Sequence, residues 1–187
     1  IINMLDQLFL LDKCMGQGGS SRVYKAEHIH SQTQCAVKII RKDKNICPLK
    51  GAKMLNEEHE RMVKLQEHPN ILKSYGAFTE GNLCTELGAA NVQYNVLELA
   101  DKGSFANLIR KIGGLGEKLV KLPFLQICSA VQHIHSQGIA HMDLKLDNIL
   151  LDEFYNCKVA DLGVSLDVSA SDGFTDSKRG TVCYMAP

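Results

Sequence analysis

No excess of charge of either sign marks this chain: Lys plus Arg and Asp plus Glu each total 21 in 187 residues. A general binder of nucleic acid or of anionic membranes carries a basic excess, so no nucleic-acid partner is expected, although a local basic patch is compatible with a neutral total. No apolar run reaches the roughly 20 residues of a membrane-spanning helix. The run at residues 8–11 is too short for a signal-peptide core and has acidic flanks. No Cys-x-x-Cys occurs among the seven cysteines, at positions 14, 35, 47, 84, 128, 157 and 183. Their odd number and wide spacing read as reduced thiols in an intracellular, cytoplasmic protein. The chain does not begin with Met and stops at Ala186-Pro187 without tail-like composition. It reads as a piece of a longer protein.

What is present is a globular chain, 45% hydrophobic, of a length that suits one domain, in one or two lobes. Residues 8–15, 23–28 and 34–40 read as strands, and a glycine-rich stretch, Gly16-Gln17-Gly18-Gly19-Ser20-Ser21, joins the first two. Glycines in such a turn let backbone approach phosphate closely. No Gly-Lys-Ser/Thr follows, which excludes a Walker A loop. Alternation places Ala36, Lys38 and Ile40 on one strand face. A lysine among apolar residues needs a partner. Residues 52–66 form a predicted helix whose Leu55, Met62 and Leu65 share a face with Glu58. Lys38 and Glu58 are therefore expected to pair. Residues 75–78 and 94–99 read as strands, residues 79–93 as a loop, and 97–104 as a lobe boundary. Helices are predicted over 105–112 and 123–137, the second with Gly138 as its C-terminal cap.

The stretch His141-Met142-Asp143-Leu144-Lys145-Leu146-Asp147-Asn148 lies between two apolar runs. Asp143, Lys145 and Asn148 there offer a proton acceptor, a cation and an amide oxygen, the groups phosphoryl transfer requires. Asp161 precedes Gly163 after a short strand and suits a metal ligand beside phosphates. Residues 164–179 are rich in small polar residues and read as a mobile loop. His133, His135 and His141 do not form a metal set, because 133 and 135 face apart on a helix and no acid or Cys completes the group.

In this order the motifs resemble those of the eukaryotic protein kinases, and among them the serine/threonine kinases. Gly16 and Gly18 match the glycine-rich loop, with Ser21 at its third glycine. Lys38 matches the Ala-x-Lys lysine and Glu58 the helix glutamate ahead of His68-Pro69-Asn70-Ile71. His141-Met142-Asp143 matches His-Arg-Asp, Asp161-Leu162-Gly163 matches Asp-Phe-Gly, and Ala186-Pro187 opens Ala-Pro-Glu. The resemblance implies an α+β, two-lobed fold: a β-rich small lobe over about residues 1–100 and the start of a mainly helical large lobe over 101–187. It implies a partial kinase domain that transfers the γ-phosphate of ATP, with Mg2+, to Ser/Thr hydroxyls of protein substrates. Asp143 would orient the hydroxyl, Lys145 would contact the transferred phosphate, and Asn148 and Asp161 would hold magnesium. Lys38, positioned by Glu58, would bind the α- and β-phosphates. Met15, Gly16, Gln17, Gly18, Val23, Ala36, Leu97, Glu98, Ala100, Ser104 and Leu150 would complete the ATP site.

Three departures from the family pattern carry expectations. Met142 replaces the Arg that usually meets an activation-loop phosphate, which implies a "non-RD" kinase and little response to phosphate on Thr175 or Ser177. Leu162 replaces Phe and keeps apolar packing. Ser74 stands at a usually apolar position, so a looser helix contact is expected. The alternative is a pseudokinase or scaffold that binds ATP or partners without turnover; its usual signature is loss of the Lys, the catalytic Asp or the metal Asp, and all three are present. A small-molecule kinase is disfavoured by Gly180-Thr181 and Tyr184, which resemble the segment that serves a peptide substrate. In the family, later helices cover the catalytic loop. The span 1–187 alone is therefore expected to be poorly soluble and nearly inactive, with residues 124–134 and 149–151 short of cover.

Overall fold

A computed structural model describes residues 3–41, 47–169 and 177–185. Two compact units divide the chain: residues 1–63 with 73–99, and residues 64–72 with 100–187.

The first unit is strand-rich. Its strands are β1 (Asn3–Leu5), β2 (Phe9–Gln17), β3 (Ser21–His28), β4 (Gln34–Ile40), β5 (Ser74–Thr85) and β6 (Gly88–Leu97), joined by helix α1 (Pro48–Leu65). They close into an antiparallel barrel in the order β1-β2-β3-β4-β6-β5. In β4 the alternation works as expected: Cys35, Val37 and Ile39 join the barrel core with Leu5, Phe9, Leu11, Ala26, Val92, Tyr94 and Val96. Each Val, Leu, Ile or Phe side chain among them contributes about 1.5–3 kcal/mol by leaving water. Ala36, Lys38 and Ile40 take the opposite face. Leu55, Met62 and Leu65 are buried on α1, and Glu58 is buried with them. The helix starts earlier than residue 52 because Pro48, whose missing N–H costs nothing at a first helical position, opens it.

One expectation fails here. Residues 79–93 are not a loop but most of a long hairpin, in which β5 and β6 pair from Ser74↔Leu97 to Thr85↔Gly88. Its Gly, Asn and Ala residues have weak strand propensity, and long-range pairing overrides that weakness. β1 supplies part of that pairing through Leu5↔Leu83 and Met4↔Cys84. A second part is steric. Gly81 sits at a register shift, where an added Cβ would fall 2.5 Å from the Tyr94 ring.

The second unit holds helices α2 (Phe105–Ile112) and α3 (Glu117–Ser136) and short strands β7 (Gly103–Ser104), β8 (Ile139–Ala140), β9 (Ile149–Leu151), β10 (Cys157–Val159) and β11 (Leu166–Asp167). β10, β9 and β7 form one sheet in that order, and β11 pairs with β8. Ser104 caps α2 by accepting the Asn107 N–H at 3.2 Å, and Gly113 closes it in the left-handed conformation at φ 75°. α3 begins at Glu117, not at Pro123, which lies inside the helix. Gly116 starts it by accepting the N–H groups of Leu119 and Val120. Ala130 and Ile134 bury its inner face, and Ile149 and Leu151 are buried too, contrary to the expected lack of cover at 149–151. Phe124 is exposed.

Candidate catalytic site

Each unit holds its own set of the candidate side chains. In the first, the Lys38 ammonium lies 2.7 Å and 2.9 Å from the two Glu58 carboxylate oxygens. A charge this deep is tolerable only when paired. β4 and α1 supply the two ends, as the alternation of one and the periodicity of the other require. Val23 stands opposite Lys38, and Ala36 opposite Leu97. Register therefore gathers these four residues on the face turned away from the barrel core. The glycine-rich stretch turns between β2 and β3, with the Gly18 N–H donating to the Ser21 carbonyl at 2.9 Å. A Cβ at Gly16 or Gly19 would meet no atom within 4 Å, so the turn stands clear of the rest of the unit. Met15 is half-buried and Gln17, whose side chain accepts from Arg22, is exposed. Glu98 is fixed through both backbone and side chain to Lys73.

In the second unit, residues 141–148 form a loop ending in a 3-10 turn, Leu146–Asn148. His141 anchors it from within. Its Nε2 donates to the Ala160 carbonyl at 3.0 Å, and its Nδ1 accepts the Asp143 N–H at 3.2 Å. Burial lowers the pKa of this ring, so it serves as a neutral strut. Met142 and Asp161 both adopt left-handed backbone, at φ 66° and 64°. Such conformations are costly and persist only where surrounding contacts enforce them.

Asp143 collects donors. Lys145 Nζ reaches Oδ2 at 2.7 Å, and Asn148 Nδ2 reaches the same oxygen at 3.1 Å and the Asp143 carbonyl at 2.8 Å. Thr181 donates its N–H and its hydroxyl to Oδ1 at 2.9 Å and 2.7 Å. Burial pushes the Asp143 carboxyl up, but the Lys145 and Thr181 hydrogen bonds outweigh it and hold the pKa below the usual value. The Lys145 pKa is raised, chiefly by its bond to Asp143. Thr181 also lies 2.6 Å from the Lys145 ammonium. Gly180 permits this approach: at φ 103°, a Cβ there would fall 2.1 Å from the Met142 carbonyl oxygen.

The donor set of Asn148 and Asp161 fits a hard divalent cation. Asn148 spends its amide nitrogen on Asp143, so its oxygen is the atom that would meet a cation. Ala160 donates its N–H to the Asn148 carbonyl at 2.9 Å, so Asp161 follows directly on the residue bonded there. The Asp161 charge is felt at Lys145 and at His141. Ala100 is buried, and Leu150 pairs with Ser104 across β9 and β7, while the Ser104 hydroxyl caps α2.

Sequence reasoning missed two contacts. The sequence places Thr181 only within a substrate-side signature, and its direct hold on Asp143 depends on an approach of 38 residues in sequence. Ser74 does not loosen α1: it is 3% exposed and bonded to His59 of that helix at 2.7 Å. The polar His59 beside Glu58 was the available signal. Ala186 and Pro187 lie outside the described residues, as does Thr175.

Residues 9–187 match the protein kinase domain family. Among curated proteins, CBL-interacting protein kinase 2 of Oryza sativa subsp. japonica is 36% identical over 189 residues, covering 99% of this chain and 40% of that protein. CBL-interacting serine/threonine-protein kinase 7 of Arabidopsis thaliana is 34% identical, covering 95% of this chain and 39% of that protein. Serine/threonine-protein kinase ppk16 of Schizosaccharomyces pombe is 32% identical, covering 96% and 24%. The chain thus spans about two fifths, or less, of the length of these relatives.

Proposed function

Because this chain belongs to the protein kinase family, we propose that its protein transfers the γ-phosphate of ATP to Ser/Thr hydroxyls of protein substrates, as a non-RD kinase. The observation that carries this reading is Asp143, held ionised by Lys145 and Thr181. An ionised carboxylate in fixed geometry can accept a hydrogen bond from the acceptor hydroxyl and take its proton. The hydroxyl oxygen then forms the new bond to the γ-phosphorus as the β–γ bridging oxygen leaves with ADP. Lys145, charged and adjacent, balances the negative charge on the transferred group. Asn148 and Asp161 would hold magnesium, which supplies charge neutralisation on the phosphates.

The ATP site of this reading joins the glycine-rich residues Gly16 and Gly18, their neighbours Met15 and Gln17, and the Lys38–Glu58 pair. In the first unit Val23, Ala36 and Leu97 would offer apolar surface to adenine, with Glu98 beside them, and the second unit would offer Leu150, Ala100 and Ser104 of its own. Residues 1–100 would be the small lobe and 101–187 the beginning of the large one. No helix among the described residues is long and apolar enough to cross a membrane. Seven unpaired cysteines support an intracellular, cytoplasmic place for the protein.

The test uses the full-length protein. Asp143→Asn is expected to abolish phosphate transfer from Mg-ATP to Ser/Thr peptides while ATP binding persists, and Lys38→Met to lower both. Transfer by Asp143→Asn at the wild-type rate, followed by radiolabel, would refute the mechanism.

A further inference from the structure

The surface on which α1 rests carries polar groups. Strand register puts Lys38, Asn95 and Ala77 side by side on the face turned away from the barrel core, with Ala36, Leu97 and Ser74 as the next row. α1 is bonded to this face at three places. Gln93 Nε2 donates to the Pro48 carbonyl at 3.0 Å, Lys38 meets Glu58, and Ser74 meets His59. Asn95 is 0% exposed, and neither its amide nitrogen nor its oxygen has a partner among the described residues. A buried amide left unpaired opposes close packing over it. Burial of Leu55 and Met62 is non-directional and does not by itself set the rotation of α1.

Two adjacent bonds can. Successive helical residues differ by about 100° around the axis. Glu58 binds β4 and His59 binds β5, two strands separated by β6 and thus by about 10 Å. The Lys38–Glu58 pair alone leaves the helix free to roll about a long, flexible lysine side chain. A second bond from the next residue, to a different strand, removes that roll. The His59–Ser74 bond is short at 2.7 Å, and Ser74 is buried at its base.

We propose that His59 and Ser74 are positioning residues, a hydrogen-bonded latch that sets the rotation of α1 and thereby seats Glu58 on Lys38. The effect on nucleotide binding rests on the kinase reading above, whereas the effect on the Lys38–Glu58 pair does not.

The experiment reads both in the full-length protein. Acylation of Lys38 by an amine-reactive ester, followed by mass spectrometry, reports how firmly Glu58 holds it, with Glu58→Gln as the upper reference. His59→Leu and Ser74→Ala are each expected to raise the Lys38 rate about three- to tenfold, the worth of one hydrogen bond. Lys25, on the neighbouring strand, should keep its rate, which separates a turned helix from an unfolded barrel. His59→Asn, whose side-chain nitrogen lies near the position of Nδ1, is expected to restore the wild-type rate. The KM for ATP should follow the same order, with kcat less affected. Unchanged Lys38 labelling in both variants, or equal increases at Lys38 and Lys25, overturns the latch. Absence of phosphate transfer by the wild-type protein would instead overturn the kinase reading and leave the labelling result standing.

Discussion

Asp143 keeps its charge against its burial because Lys145 and Thr181 both donate to it. The sign of the linkage follows. A carboxylate whose folded pKa lies below its unfolded value adds stability above the unfolded value, about 3.9. It loses that stability as pH falls through the folded value. Lys145 behaves in the opposite sense. Its pKa is raised, so its contribution is present below the ordinary lysine value and is lost as pH rises through the folded one. The pair is therefore intact across neutral pH, and phosphate transfer should be insensitive to Asp143 titration from about pH 5 upward. Thr181→Val removes one hydroxyl from both partners. A hydrogen bond to a charged group is worth about 1.5–3 kcal/mol, so kcat should fall about 10- to 100-fold. The acidic limb of the pH–rate profile should move upward, and Thr181→Ser should retain most activity. A Thr181→Val enzyme with wild-type kcat and an unmoved acidic limb would show that Thr181 does not support Asp143. Gly180→Ala should be more damaging, since its Cβ has no room beside the Met142 carbonyl. Arg179 Nε donates to the Ser177 hydroxyl at 2.9 Å, so a cation already stands beside that candidate phosphate site.

Among elements, what could be read in advance depended on whether local pattern and long-range pairing agreed. In β4 they agree: the alternation of Cys35, Val37 and Ile39 against Ala36, Lys38 and Ile40 is both the local signal and the packing. α1 is similar, since the residues that share its helical face, Leu55, Glu58 and Met62, are those that are buried. The β5–β6 hairpin is the counterexample. Gly81, Asn82, Asn91 and Gln93 carry little strand preference of their own. Their conformation comes from pairing with distant strands and from the Tyr94 ring, which stacks on Phe78 at 4.7 Å. The catalytic loop is intermediate. Asp143, Lys145 and Asn148 were readable as chemistry from their types and spacing. Their mutual bonds required Gly180 and Thr181 to return from far along the chain. If Gly81 holds the hairpin in place sterically, Gly81→Ala should destabilise the protein by about 1–3 kcal/mol through overpacking. Thermal unfolding would show this as a lowered Tm, and Tyr94→Leu should recover part of it by opening the space. An unchanged Tm for Gly81→Ala would mean that the hairpin yields without cost.

At the scale of the whole span, the distribution of apolar surface is uneven. The barrel encloses its apolar residues, and the short strands of the second unit bury Ile149, Leu151, Cys157 and Val159. α3 behaves differently. Its second half buries Ala130 and Ile134, while Leu119, Leu122, Phe124 and Leu125 in its first half are 62–69% exposed. Isolated exposed apolar residues are ordinary, but Leu119, Leu122 and Leu125 recur at i, i+3 and i+6 and so form a stripe of the kind that drives association. The 141–148 loop also exposes Leu144 and Leu146, but its polar residues are held in place, because His141 and Asp143 are tied to Ala160, Lys145 and Thr181 within the same unit. Residues 1–187 expressed alone should therefore self-associate through α3 before they lose their catalytic-loop geometry. Leu122→Glu with Leu125→Glu, on adjacent positions of that patch, should shift the population toward monomer. Both changes lie at solvent-facing sites, where substitutions usually alter stability by no more than about 0.5 kcal/mol. Sedimentation velocity gives the mass and thermal unfolding the stability. Equal association of the charged variant and the parent span, at unchanged Tm, would place the contact elsewhere than on α3. A large drop in Tm would instead show that these leucines are part of the core.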